Sequence, residues 1–316
     1  MTLNQINELW ELYKERYEVD SDAMITDVCY DTPENVEGSF DLFELLGGTY
    51  ILHLSPRFHL YSEDYVRFIL FHEFTHFADF IKASSDEQFS EREDLFLFMN
   101  SYSEYHACRV ALGQSIDSLS HEYVYLDKIQ IPGPFREISI RRLLAENLFR
   151  TKYAYIQFFR HLAPNDFVSS FRQLMYLFGY IALFKKTNVQ MAEHILRVIG
   201  LKSSECYMEL FHALNEKDVE GILKYTKDAY NDAFLMYLRN FIRTHYDDSL
   251  YDDEDVEALS MDNYKDFLED LDQRQDELDE AREQMENPVA AFIAGILSTC
   301  SSKDWKSVDT SFITLE

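Results

Sequence analysis

The sequence predicts an α+β fold, with a short sheet and a few helices in the N-terminal part and an all-helical region after it. Three observations lead there. Leu3, Ile6, Leu9, Trp10, Tyr13 and Tyr17 recur at steps of three and four, the mark of an amphipathic helix. The runs 24–30 (MITDVCY) and 49–54 (TYILHL) are short, β-branched or aromatic, and separated by a stretch holding Pro33, Gly38, Gly47 and Gly48, which predicts two strands. Beyond Pro132, Gly133 and Pro134 only helical spacing is found.

Taken in order, the first helix docks through its apolar stripe and the two strands follow. A helix then starts at Ser62, whose following Glu63 and Asp64 suit the N-terminal dipole, and reaches about Lys82. After the polar, acidic segment 84–93, a second helix runs from about Ser90 to Leu112 and stops at Gly113. The Pro132-Gly133-Pro134 break divides the chain at about residue 130, into an α+β domain, 1–130, and a helical domain, 131–316, that selects substrate or regulates access. Six helical stretches follow, from Ile138 to Met285.

Composition narrows the functions. The 316 residues carry 57 acidic side chains against 29 Lys and Arg, a formal charge of -28, with 15% aromatic residues. That is a folded acidic protein, a poor partner for nucleic acid or an anionic membrane. Residues 247–286 alone hold 18 Asp or Glu against Lys265, Arg274 and Arg282. Their heptad of Tyr264, Leu271, Leu278 and Met285 reads as a solvated helix packed on its own domain rather than a dimer seam. Cys29, Cys108, Cys206 and Cys300 include no CxxC pair and read as ordinary buried thiols. The N-terminus lacks the apolar centre of a secretory signal, and the most apolar stretches, 174–184 and 289–300, fall short of the roughly 18 residues that cross a bilayer, so a cytoplasmic location is expected.

The chemistry-bearing motif is His72-Glu73-Phe74-Thr75-His76, an HExxH pattern inside the helix already assigned from Ser62. Residues four apart share a helix face, so both imidazoles can converge on one tetrahedral Zn²⁺. Glu73, one step round, is placed as general base toward metal-activated water. Phe68, Ile69, Leu70, Phe71, Phe74 and Phe77 bury the helix and leave its polar groups in need of a partner. Two histidines leave a catalytic site one ligand short. Asp79 shares their face, but seven residues of helix span about 10.5 Å, so it is expected to orient a ligand imidazole. Glu104 is the expected third ligand: it sits on a separate helix, on one face with Ala107, Cys108 and Ala111, whose small side chains allow close approach.

The run Arg67 to His76, followed by Glu104-Tyr105-His106-Ala107, resembles the ImmA/IrrE-type metallopeptidases, compact zincins of the gluzincin kind. The resemblance covers about Leu54 to Leu112, a fifth of the chain, and departs from the family at Thr75, where Gly is common. It implies a zincin-like metallopeptidase domain within 1–130, one zinc per chain held at the positions of His72, His76 and Glu104, Glu73 as base, and cleavage of a protein partner, often a repressor or other regulatory protein. By analogy with zincins, TYILHL either pairs with the extended substrate backbone or serves as an internal strand.

A donor for the oxyanion is expected among Tyr102, Tyr105 and His121. His53, His59, His161, His194, His212 and His245 show no ligand spacing and are taken as ordinary. No GxGxxG, P-loop or GxSxG occurs. The expected function is a zinc-dependent endopeptidase. Its rival is an interaction module with a structural or vestigial zinc site and an acidic helical surface for a basic partner.

Overall fold

The computed structural model describes residues 1–33, 36–86, 89, 91–116, 129–201 and 205–286. These are mostly helical with a small sheet. Helix α1 (Leu3–Tyr17) starts at a capping box between Thr2 and Gln5 and stops at Glu18, in the left-handed region. Its expected stripe is used: Ile6, Trp10 and Tyr13 are buried. Trp10 lies against Phe74 and Phe77, ring centroids 5.5 and 5.0 Å away, while its Nε1 donates to the Ala23 carbonyl at 2.8 Å.

Both expected strands form, with a third between them. Strand β1 (Asp27–Cys29) pairs in parallel with β3 (Ile51–Leu54), which also pairs antiparallel with β2 (Gly38–Phe40), in the order β1-β3-β2. The Gly- and Pro-containing segment reads as a connection because only three of its residues extend. Leu52 and Leu54 are buried and His53 between them is half-exposed, so one face of the sheet meets the core. Phe40, opposite Leu52, stacks on Phe77 at 5.2 Å. The short helix α2 (Leu42–Leu46) follows β2.

Helix α3 (Glu63–Ser84) carries the HExxH residues and is N-capped by Ser62, as expected. The expected second helix is not regular: α4 (Arg92–Phe98) passes into a π-helical turn, Met99–Ser103, before α5 (Glu104–Ile116), which runs on through Gly113. A two-residue hairpin, β4 (Gln130–Ile131) and β5 (Ile138–Ser139), forms around Pro132-Gly133-Pro134, where helical spacing alone is read. Then come α6 (Ile140–His161), α7 (Pro164–Ile181), α8 (Asn188–Ile199), α9 (Glu205–Glu216), α10 (Val219–His245), α11 (Asp253–Glu257) and α12 (Tyr264–Glu286). Among the described residues no helix is long and apolar enough to cross a membrane.

The division expected at residue 130 is corrected. The compact units are Met1–Phe234 and Leu235–Glu316, so the first half of the helical region belongs with the sheet and α3. The cause is the packing of α7 on α5. A Cβ on Gly179 would stand 2.3 Å from the Tyr105 carbonyl oxygen and 2.8 Å from Cys108 Cβ, so the two backbones meet where Gly179 has no side chain. In the second unit, Arg239 bonds the carbonyls of Val256, Glu257 and Leu259, and Arg243 pairs with Asp253 and Glu257. Leu271 of the acidic helix is buried.

Candidate metal centre

One turn of α3 and the first turn of α5 face each other, and their polar side chains converge. His72 Nε2 and His76 Nε2 are 3.2 Å apart, and Glu104 Oε2 is 3.2 Å from His76 Nε2. Each of the three offers a ligand atom within 4.8 Å of the others. Glu104 Oε2 is buried and has no hydrogen-bond partner among the described residues, although it stands beside His76 Nε2. Such an orphaned acceptor costs about 1–3 kcal/mol unless something satisfies it. Two imidazole nitrogens and a carboxylate oxygen turned to one point are a donor set of the zinc kind. A divalent cation fits these residues.

The surroundings hold the two imidazoles and Glu104 in place. His76 Nδ1 lies 2.8 Å from Ser103 Oγ, so the ring's outer nitrogen has a hydrogen-bond partner while Nε2 faces His72 and Glu104. Ser103 and Glu104 are adjacent across the end of the π-helical turn, so both nitrogens of one ring are served from one place. Beside the His72 ring, Cys108 Sγ lies 3.9 Å from Nδ1. Burial, then His76 beside it, holds His72 neutral, well below its ordinary pKa. At His76 burial opposes charge, but the Glu104 carboxylate overrides it and lifts the ring. Glu104 is the mirror case: burial works against its ionised form, and His76 and then Arg172 hold its pKa down.

Glu73 is 4% exposed, and burial, reinforced by Glu104 and opposed by His76, raises its carboxyl to about 7. The edge strand β2 lies directly against it: a Cβ on Gly38 would meet Glu73 Cγ at 2.8 Å. Thr75, which departs from the resembled family, accepts from the Tyr13 hydroxyl at 2.9 Å and donates to the Phe71 carbonyl, tying α1 to α3.

Several expectations land elsewhere. Asp79 does not orient a ligand ring; it accepts from His106 Nδ1 at 3.0 Å, and Ser103 takes the role on His76. Seven residues carry Asp79 two turns on, level with the next turn of α5. Tyr105 does not face the centre, because its hydroxyl donates to Asn215 Oδ1 at 3.2 Å. His121 lies outside the described residues. TYILHL cannot take a substrate strand, since β3 is central and paired on both sides; the edge strand beside the site is β2. Of the thiols, Cys108 is buried, but Cys29 and Cys206 are half-exposed.

Two residues escaped the sequence reading. Tyr176 and Arg172, one turn apart on α7, reach the centre: the Tyr176 ring stands edge-on to His72 at 5.9 Å, and Arg172 Nε is 3.6 Å from Glu104 Oε1. Arg172 Nε also donates to Asn100 Oδ1 at 2.5 Å, pinning the π-helical turn. Neither residue carries a motif, and α7 falls in the part expected to be a separate domain. The RxxxY spacing on a helix with Gly three residues further on was the available signal. No protein-family model, no curated protein and no solved structure matches the chain.

Proposed function

We propose that this protein is a zinc-dependent endopeptidase with a zincin-like catalytic part, acting on a protein or peptide. The observation that carries the reading is the convergence of His72, His76 and the orphaned Glu104 Oε2 beside a buried, proton-accepting Glu73. His72, His76 and Glu104 would hold the metal, with Ser103 fixing the His76 tautomer. When bound, zinc supplies Lewis acidity and brings the pKa of water toward 7.

The chain's own residues supply the rest. A carboxyl with a pKa near 7 suits general base and then general acid, so Glu73 takes the proton from the attacking water and delivers it to the leaving amine. Glu104 stays ionised beside His76 and Arg172. Tyr176, whose ring stands edge-on to His72, is the side chain assigned as donor to the developing carbonyl charge. The extended substrate backbone adds to the free edge of β2, where Gly38 brings the strand against Glu73. The resemblance to ImmA/IrrE-type enzymes supports a regulatory protein as the substrate class.

The test is Glu73→Gln. It keeps its metal and loses about 10²- to 10⁴-fold in peptide turnover, measured on a fluorogenic peptide library; full turnover in this variant would refute the assignment.

A further inference from the structure

A second cluster of ligand-type side chains lies on the other face of the sheet. The parallel pairing of β1 with β3 places Cys29 opposite His53, and Asp31 follows Cys29 by two residues. The ligand atoms of Cys29, Asp31 and His53 all lie within 4.8 Å of one another. His53 Nδ1 is 2.8 Å from Asp31 Oδ1, and its Nε2 is 3.1 Å from Glu44 Oε2, which comes from α2. Leu52 and Leu54, the neighbours of His53, point into the core, so this cluster faces away from α3 and the HExxH residues.

The charge in this place is unbalanced. Asp27, Asp31 and Glu44 surround one imidazole and one thiol, and the cationic partner of both Asp31 and Glu44 among the described residues is His53. Burial and these carboxylates push the Cys29 thiol up, which disfavours a nucleophilic cysteine. A divalent cation reverses that logic, because it neutralises the carboxylates and takes the sulfur as thiolate. Tetrahedral zinc, with ligands at about 2.0–2.3 Å, sets its ligand atoms about 3.3–3.7 Å apart, a spacing inside the cluster's span. Glu44 on the far nitrogen of His53 is the carboxylate that commonly orients a metal-bound imidazole.

We propose that Cys29, Asp31 and His53 form a second zinc-type metal site, with Glu44 orienting the His53 ring, that clips β1 to β3 on the outer face of the sheet. It is independent of the HExxH centre and would stand if that centre proved inert. The rival occupancy is a proton: an imidazolium held between two carboxylates.

The experiment is a titration of the metal-free full-length protein with Co²⁺, followed by absorption. A thiolate-to-cobalt charge-transfer band is expected in the wild type and in Cys108→Ser, which controls for the thiol beside His72. It is lost in Cys29→Ser. Asp31→Asn, at an exposed position that does not threaten folding, lowers Co²⁺ affinity at this band by at least about tenfold. No charge-transfer band in the wild type, or a band that persists in Cys29→Ser, overturns the proposal.

Discussion

At the residue scale, Ser103 and Glu104 together decide how His76 is used. One oxygen stands at Nδ1 and the other at Nε2, so both nitrogens of the ring are held from one place. Ser103→Ala should therefore weaken zinc about 10- to 100-fold, read by competition with a chromophoric chelator, without unfolding the chain. The convergence of His72, His76 and Glu104 was legible because HExxH on a helix has one geometry, and Glu104 because small residues flank its face. Ser103 was not legible: a lone serine has no spacing signal, and its aim depends on a π-helical turn that apolar periodicity does not reveal. Asp79 failed for the converse reason, since sharing a face with two histidines says nothing of which helix lies opposite its own turn.

At the scale of elements, the site exists because α5 and α7 meet without a side chain between them. Gly179→Ala puts a methyl group 2.3 Å from a backbone oxygen that cannot rotate away. Parting the helices should cost about 1–3 kcal/mol, seen as a lower midpoint in urea, and should also loosen Arg172 and Tyr176. In the second unit, Arg243 hydrogen-bonded to Glu257 holds that carboxyl below its ordinary value. A depressed acid contributes stability above its unfolded pKa, ordinarily near 4.5, and loses it as pH falls through the folded value. NMR titration of Glu257 should show the depressed value return to the ordinary one in Arg243→Ala. Helices α1 and α3 were plain in the sequence because their periodicities run long, and β1 and β3 because each sits inside a longer β-branched or aromatic run, 24–30 and 49–54. Strand β2 was hidden because its three residues lie in the stretch of Pro33, Gly38, Gly47 and Gly48, yet it is the edge beside Glu73.

For the whole molecule, the lesson of the misplaced boundary is functional. The break at Pro132-Gly133-Pro134 is a small hairpin, and the first compact unit continues to Phe234, carrying α7 and its Tyr176 to His72. A truncation at residue 130 would remove Arg172 and Tyr176 from around the candidate centre and uncover α5 at Tyr105 and Cys108, so that fragment should lose the proposed activity. A metal that binds the folded state alone also stabilises it, by a few kcal/mol at 100 to 1,000 times Kd.

The most direct test is the zinc content of wild-type and His72→Ala protein, purified side by side without added metal and measured by elemental mass spectrometry. About one zinc fewer per chain is expected in His72→Ala, whatever the Cys29 cluster holds. Equal zinc in both proteins, or none in either even after zinc is supplied, would contradict the proposed centre.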